Sequence, residues 1–461
     1  MGKEATGLRS FQSATWTGTK DGKTMQSSLK GIANRARSHR KHRFGNLYGM
    51  LNETFLAESY RQMNPKAAPG VDRVTYRAYG RKLAENIGDL VRRLKSKSYR
   101  ARLVRRKHIP KGKGKTRPLG ILVMDDKVAQ TGAARLLNAI WEADFLDCSY
   151  AYRARRNAHG AIKALRRDLQ FGKYRYVVEA DIESYFEKID HEWLVKMLEL
   201  RINDNAFIGL IRKWLKARIL EEDGKLIDPA TGTPQGGVVS AVLANIYLHY
   251  VLDLWFERVV KPRLRGKGMI IRYADDFVCA FEHESDAQRF YDVLPKRLEK
   301  FGLKIAEEKT RILRFSRFEL NSKNRFEFLG FEFRWGKSRG GKPNVKRRTA
   351  PARMTRAIAR FTEWIRENRD QRLSDLLRTL RAKYQGTWNY YGLIGNYRSL
   401  QTFYHWTLRI LHKWLNRRSQ RRSITYKKLQ AALHRAGVPT PRITESSATG
   451  QSQLEFPWNW C

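Results

Sequence analysis

Ile270-Ile271-Arg272-Tyr273-Ala274-Asp275-Asp276-Phe277-Val278-Cys279-Ala280-Phe281 decides the reading of this chain. Two short apolar, β-prone runs flank a pair of adjacent acids. The stretch therefore reads as a hairpin with Asp275 and Asp276 at or near its turn. Adjacent carboxylates between buried strands are costly unless a cation neutralises them. Mg²⁺ suits such a pair, because it binds one or two carboxylates together with phosphate oxygens. On these letters alone an ordinary Asp-Asp turn is the simpler explanation. A second acid upstream changes the balance. Asp181 ends the run Tyr174-Arg175-Tyr176-Val177-Val178-Glu179-Ala180, which reads as a buried strand, and the chain then leads through Ile182 to His191 into a helix. Asp181 and Asp275 lie 94 positions apart, so only the fold brings them together. Acids on neighbouring strands can hold two metal ions about 4 Å apart, the arrangement for in-line phosphoryl transfer.

Composition points to the partner. The chain of 461 residues carries 91 Lys and Arg against 45 Asp and Glu, a net charge of +46, with 11% aromatic residues. A solvated charged surface mixes its signs. An excess this large calls for a polyanion, and the aromatic share suits base stacking. No apolar run reads as long enough to span a bilayer, so no membrane partner is expected. Three cysteines (Cys148, Cys279, Cys461) make neither a disulfide framework nor a CxxC zinc pair, which suits a reducing compartment, most simply the cytoplasm.

Three ordered motifs carry a family resemblance. Asp181 with Phe186, then Gly232-Thr233-Pro234-Gln235-Gly236-Gly237, then Tyr273-Ala274-Asp275-Asp276 resemble the palm motifs of reverse transcriptases. The fuller block from Gly232 to Leu248 is similar to the group II intron-encoded reverse transcriptase/maturase family. One departure stands out: Ser240-Ala241 replaces the family's usual Ser-Pro. Alanine continues a helix more easily than proline, so this reads as subgroup variation. The resemblance implies an α+β right-hand polymerase fold, with fingers, an antiparallel palm sheet and an α-helical thumb or X domain. It also implies two Mg²⁺ ions, with Mn²⁺ as a substitute, on Asp181, Asp275, Asp276 and the Ile182 carbonyl. Lys111 and Arg117, on either side of the basic turn Gly112-Lys113-Gly114-Lys115, would contact the dNTP phosphates. Phe186 would lie under the sugar and exclude a 2′-hydroxyl, and Gln235 would lie against the dNTP. Lys66 and Gly70, in a Lys-x-x-x-Gly-Val-Asp loop, would approach the template. Arg417, Arg418, Arg421 and Arg422 would bind nucleic acid from the thumb. Lys309, in Glu308-Lys309-Thr310-Arg311, reads as a phosphate or structural contact.

Taken in order, residues 1–43 read as a basic, flexible arm, 44–340 as fingers and palm, 341–435 as the helical thumb and 436–461 as a short tail. Apolar spacing predicts one helix from Phe44 to Met63. Phe326 to Phe333 alternates cleanly and predicts a single strand, and Gly336 to Lys346 reads as a linker. No His-Asn-His pattern is visible, which places the chain beside the family's subgroup without an endonuclease domain. The functional expectation is an RNA-directed DNA polymerase that also binds group II intron RNA as a maturase, with RNA template, DNA primer or target and dNTPs as partners. Two rivals remain: an RNA-binding splicing cofactor, and a domesticated relative acting in DNA repair or antiviral defence.

Overall fold

Strict alternation builds the centre of the molecule. In the computed structural model, which describes residues 19–112, 115–320, 323–417 and 424–445, eleven strands fall into three sheets. The fingers hairpin pairs β1 (Val104–Gly112) with β2 (Lys115–Ile121). The palm sheet takes β3 (Tyr176–Asp181), which lies between β7 (Asp276–Phe281) and β8 (Arg311–Arg314). The short β4 (Ile219–Leu220) and β5 (Leu226–Ile227) extend the fingers sheet, and β6 (Gly268–Tyr273) is the palm edge beyond β7. All palm pairings are antiparallel. Alternate side chains of these strands enter two different cores. Val178, Ala180, Ile270, Phe277 and Cys279 pack with the large fingers-palm core, and Val177, Ile271, Val278 and Ala280 pack under helix Ala158–Phe171. Burial on both faces explains why the strands read as continuous apolar runs.

A third sheet joins palm to thumb: β9 (Phe326–Phe328), β10 (Phe331–Lys337) and β11 (Pro343–Thr349). It corrects two expectations. Phe326 to Phe333 is no single strand, because Leu329 (φ 50°) and Gly330 (φ 77°) turn the chain back on itself. Gly336 to Lys346 is no linker either; it forms the end of a β10–β11 hairpin whose register runs from Phe331 opposite Thr349 to Lys337 opposite Pro343. The first thumb helix begins at Pro351. The helical thumb itself is as expected, with helices Pro351–Asn368, Leu373–Tyr391, Tyr397–Leu415 and Tyr426–Arg435. Leu400, Phe403, Leu408, Leu411 and Leu415 form the buried stripe, packed on Tyr384 and Trp388.

Three further readings change. The segment 44–63 is helical only over Glu53–Arg61, where the Asn52 side chain caps the helix by accepting the Phe55 N–H at 3.0 Å. Phe44 instead pairs with the chain at Ile202, and Asn46 has φ 54°, which breaks any helix there. The N-terminal arm is helical from Thr19 to Ser38, and Ile32 and Ala36 are buried against the core that helix Met124–Trp141 also builds. Residues 1–18 lie outside the described residues. Finally, the continuous helical segment Val238–Arg263 is long and apolar enough to cross a bilayer, but 72% of its apolar window is buried inside the protein. Its hydrophobicity serves the core. Of the tail, residues 436–445 dock on the thumb: Thr444 N–H donates to the Gly392 carbonyl at 2.8 Å and the Trp388 indole to Pro439 at 3.0 Å.

Candidate active site

Sheet register collects the acids. Asp181 ends β3 directly opposite Asp276, which begins β7, and Asp276 also faces Tyr273 across the hairpin. Asp275 occupies the turn beside Ala274, whose φ is 57°. Neighbouring strands lie about 4.8 Å apart, so the three acids share one end of the sheet. Burial, followed by repulsion from Asp275 and Asp181, pushes the Asp276 carboxyl up to about 8, against the pull of a hydrogen bond from the Leu329 N–H. Crowding of this kind is relieved by a cation. The ammonium of Lys309 supplies one, ion-paired with Asp181. Ile182 makes an isolated bridge to Ile305, bracketed by the Glu183 N–H to Lys304 (2.9 Å) and the Ala306 N–H to the Asp181 carbonyl (2.8 Å). That bridge leaves the Ile182 carbonyl out of its bonding. Among the described residues no three His, Cys, Asp or Glu side chains are grouped so that they could hold a metal ion by themselves. A donor set of crowded carboxylates still fits Mg²⁺, which completes its shell with water and substrate phosphates.

The turn is held from behind by a residue to which the sequence assigned no role. Arg272 is fully buried and forms a two-point ion pair with buried Asp253, at 2.7 and 2.6 Å. Its other donors reach Asn245 (3.1 Å), Ser149 (2.8 Å) and the Ala274 carbonyl (3.0 Å). One guanidinium thus ties the left-handed turn residue to the core. The sole signal in the sequence was a charge inside an apolar run. Arg153, in a basic stretch, is likewise buried and joined to Glu142 and to the Leu146 and Ser149 carbonyls.

The nucleotide-facing candidates follow from backbone links. The Gly120 N–H of β2 donates to the Gln235 carbonyl, and a Cβ at Gly236 (φ 109°) would stand 2.5 Å from the Gly120 oxygen. Only glycine allows that approach. The Thr233 N–H in turn donates to the Phe186 carbonyl at 2.7 Å. Fingers hairpin, glycine turn and the segment after Asp181 are therefore bonded in series, with Arg117 on β2, Gln235 in the turn and Phe186 five residues after Asp181. Phe186 and Gln235 are half-buried. Tyr185 is core, its hydroxyl donating to Ala244 at 2.5 Å. Lys111 lies on β1, immediately before the basic turn, and its side chain is outside the described residues. Tyr152, also missed by the sequence reading, is 48% exposed and holds φ 56°. Asp275, Tyr273 and Arg117 all act electrostatically on its phenol.

The remaining candidates are in the 64–72 loop and the thumb. Lys66 is exposed on its loop, while Gly70 is buried where a Cβ would meet the Val123 backbone at 2.7 Å, so its structural duty is packing. Arg417 is exposed, with its guanidinium 5.2 Å from the Trp414 ring centre. Arg418, Arg421 and Arg422 lie outside the described residues.

Comparison with known proteins matches the same segment. The reverse transcriptase (RNA-dependent DNA polymerase) family covers residues 109–333, which contain all three acids, Phe186 and Gln235. Protein YkfC of Escherichia coli is 33% identical over 255 residues, covering 49% of this chain and 67% of that protein. The group II intron-encoded protein LtrA of Lactococcus lactis is 34% identical over 245 residues, covering 51% of this chain but 40% of LtrA. Nuclear intron maturase 2 of Arabidopsis thaliana is 26% identical over 179 residues, covering 30% of this chain and 24% of that protein. With the palm register and these relatives together, the chain belongs to the group II intron-encoded reverse transcriptase/maturase family.

Proposed function

We propose that this chain copies RNA into DNA and also binds group II intron RNA as a maturase that assists splicing and retrohoming. The observation that carries the polymerase reading is the placing of Asp181 opposite Asp276, with Asp275 in the adjoining turn. Asp181, Asp275, Asp276 and the Ile182 carbonyl would hold two Mg²⁺ ions, or Mn²⁺ in their place. When bound, such ions activate the primer 3′-hydroxyl and neutralise the triphosphate and leaving pyrophosphate. The chain's own residues do the positioning. Arg272 fixes the turn that carries Asp275. Arg117 and Lys111 cradle the triphosphate as fork and point charge. Gln235 and the glycine turn bring backbone against the nucleotide, and Lys309 keeps a positive charge at Asp181. The test is incorporation of labelled dTTP on a poly(rA)·oligo(dT) primer-template, dependent on added Mg²⁺; absence of incorporation refutes the proposal.

Sugar selection rests on Phe186, whose half-buried ring follows Asp181 by five residues. Phe186→Ala is expected to open space for a 2′-hydroxyl and to reduce discrimination against ribonucleotides on the order of 10²-fold. Competition between dTTP and UTP in the same assay reads this out. Unchanged selectivity would remove Phe186 from the sugar site.

The maturase part is supported by the net charge of +46, which suits an extended polyanionic partner. Splicing assistance requires no acids in the protein. Asp181→Ala is accordingly expected to stop DNA synthesis and leave assisted splicing of a bound intron unchanged. Free thiols at Cys148 and Cys279 suit a reducing compartment such as the cytoplasm.

A further inference from the structure

Helix Ala158–Phe171 buries its apolar side under β6 and turns its basic side outward. The second half of that side, together with β11, encloses a groove of about 500 Å³. The groove lies at the far end of the palm from the acids. The helix ends at Phe171, shortly before β3 begins, and the six residues of β3 then run to Asp181, a span of about 17 Å. Its lining carries four cations, Lys163, Arg166, Arg167 and Arg347; Glu445 is ion-paired with Lys163 (3.4 Å) and Arg347 (2.5 Å), and Arg167 with its neighbour Asp168 (2.7 Å).

Behind this groove a buried donor lacks an acceptor among the described residues. Arg347 is 3% exposed. Its Nε donates to the Ile394 carbonyl at 3.2 Å and Nη2 to Glu445 at 2.5 Å, but Nη1 has no partner among the described residues. A buried donor left unmatched is costly, and a guanidinium more so. Arg166 stands close enough to repel it, and among the described residues donates to neutral acceptors, the Val345 carbonyl (3.1 Å) and Asn344 (3.3 Å). The charge of the Arg166–Arg347 pair therefore exceeds what Glu445 offsets. At the mouth, the side chains of Lys163 and Arg167 are 47% and 68% exposed. Beside them Phe171, an aromatic, is 80% exposed.

We propose that this groove is a second RNA site, which seats a backbone phosphate against Lys163, Arg166 and Arg167, over the buried charge of Arg347, and stacks an unpaired base on Phe171. A phosphate offers the acceptor oxygens that a guanidinium fork fits. A free phosphate ion would leave the exposed ring and the cationic mouth without purpose. Folded RNA supplies both partners together, because its loops splay unpaired bases beside their own phosphates, whereas duplex DNA keeps its bases stacked inside. The proposal rests on the nucleic-acid reading above, but not on polymerase chemistry.

The test uses the full chain and a fluorescein-labelled RNA stem-loop with an unpaired apical loop. Lys163→Gln with Arg167→Gln alters two exposed side chains and is expected to weaken binding about tenfold at 0.15 M salt, and to lower the slope of log affinity against log salt by about 1 per removed cation. Phe171→Ala is expected to weaken binding several-fold without altering that slope. Extension of poly(rA)·oligo(dT) should be unchanged in both. A photocrosslinking benzoylphenylalanine at position 171 should attach to the loop. Stem-loop affinity and salt slope unchanged in the charge variant, with extension intact, would overturn the groove while leaving the polymerase reading in place. Equal loss of a DNA stem-loop of the same sequence would overturn the assignment to RNA. Failure of the unaltered chain to extend any primer would instead count against the polymerase reading alone.

Discussion

Asp275→Asn is expected to lower DNA synthesis at least on the order of 10³-fold, because it removes a charge at the point where the transition state is stabilised. Asparagine keeps the size of the side chain and the geometry of the turn. It also removes one of the three charges, Asp275, Asp181 and Glu179, that repel Asp276. The variant should therefore fold at least as well as the parent and bind RNA with unchanged affinity and salt dependence. Primer extension, circular dichroism and RNA titration separate these effects. Loss of synthesis together with loss of fold would make Asp275 a structural residue.

Arg272→Met is expected to cost about 3–5 kcal/mol of stability, because it leaves Asp253 charged and unpaired in the core. Denaturant unfolding measures this. A second variant tells stability from positioning. Pairing Arg272→Met with Asp253→Leu removes both buried charges, and much of the lost stability should return, as replacing a whole buried pair by apolar groups is often neutral. DNA synthesis should not return with it, since the Ala274 carbonyl still lacks the donor that fixes the turn. Recovery of full activity in the double variant would reduce Arg272 to a counter-charge for Asp253.

The contrast between those two residues shows what a sequence can carry. Asp275, Asp276 and Asp181 were legible because short-range signals surround them: two apolar runs, a turn and a strand end. The glycine turn at Gly232–Gly237 was legible for the same reason. Arg272 was not, since its partners Ser149, Asn245 and Asp253 stand 123, 27 and 19 positions away. Tyr152 comes to Asp275 only through the fold. The errors of secondary structure have similar causes. Phe44 occupies a helical-looking register, but a bridge to Ile202 buries it instead. Leu329-Gly330 turns the chain without disturbing the alternation on either side, so one strand was read where there are two. The Gly, Ser and Lys residues near 340 belong to a hairpin tip, which shares its composition with linkers.

The most direct measurement is DNA synthesis on a primed RNA template of mixed sequence, with Mg²⁺ and all four dNTPs, read by sequencing the product. The site built on Asp181, Asp275 and Asp276 predicts full-length DNA complementary to the RNA from the unaltered chain and none from Asp181→Asn. Tight, salt-sensitive RNA binding by both proteins with no DNA from either would contradict it.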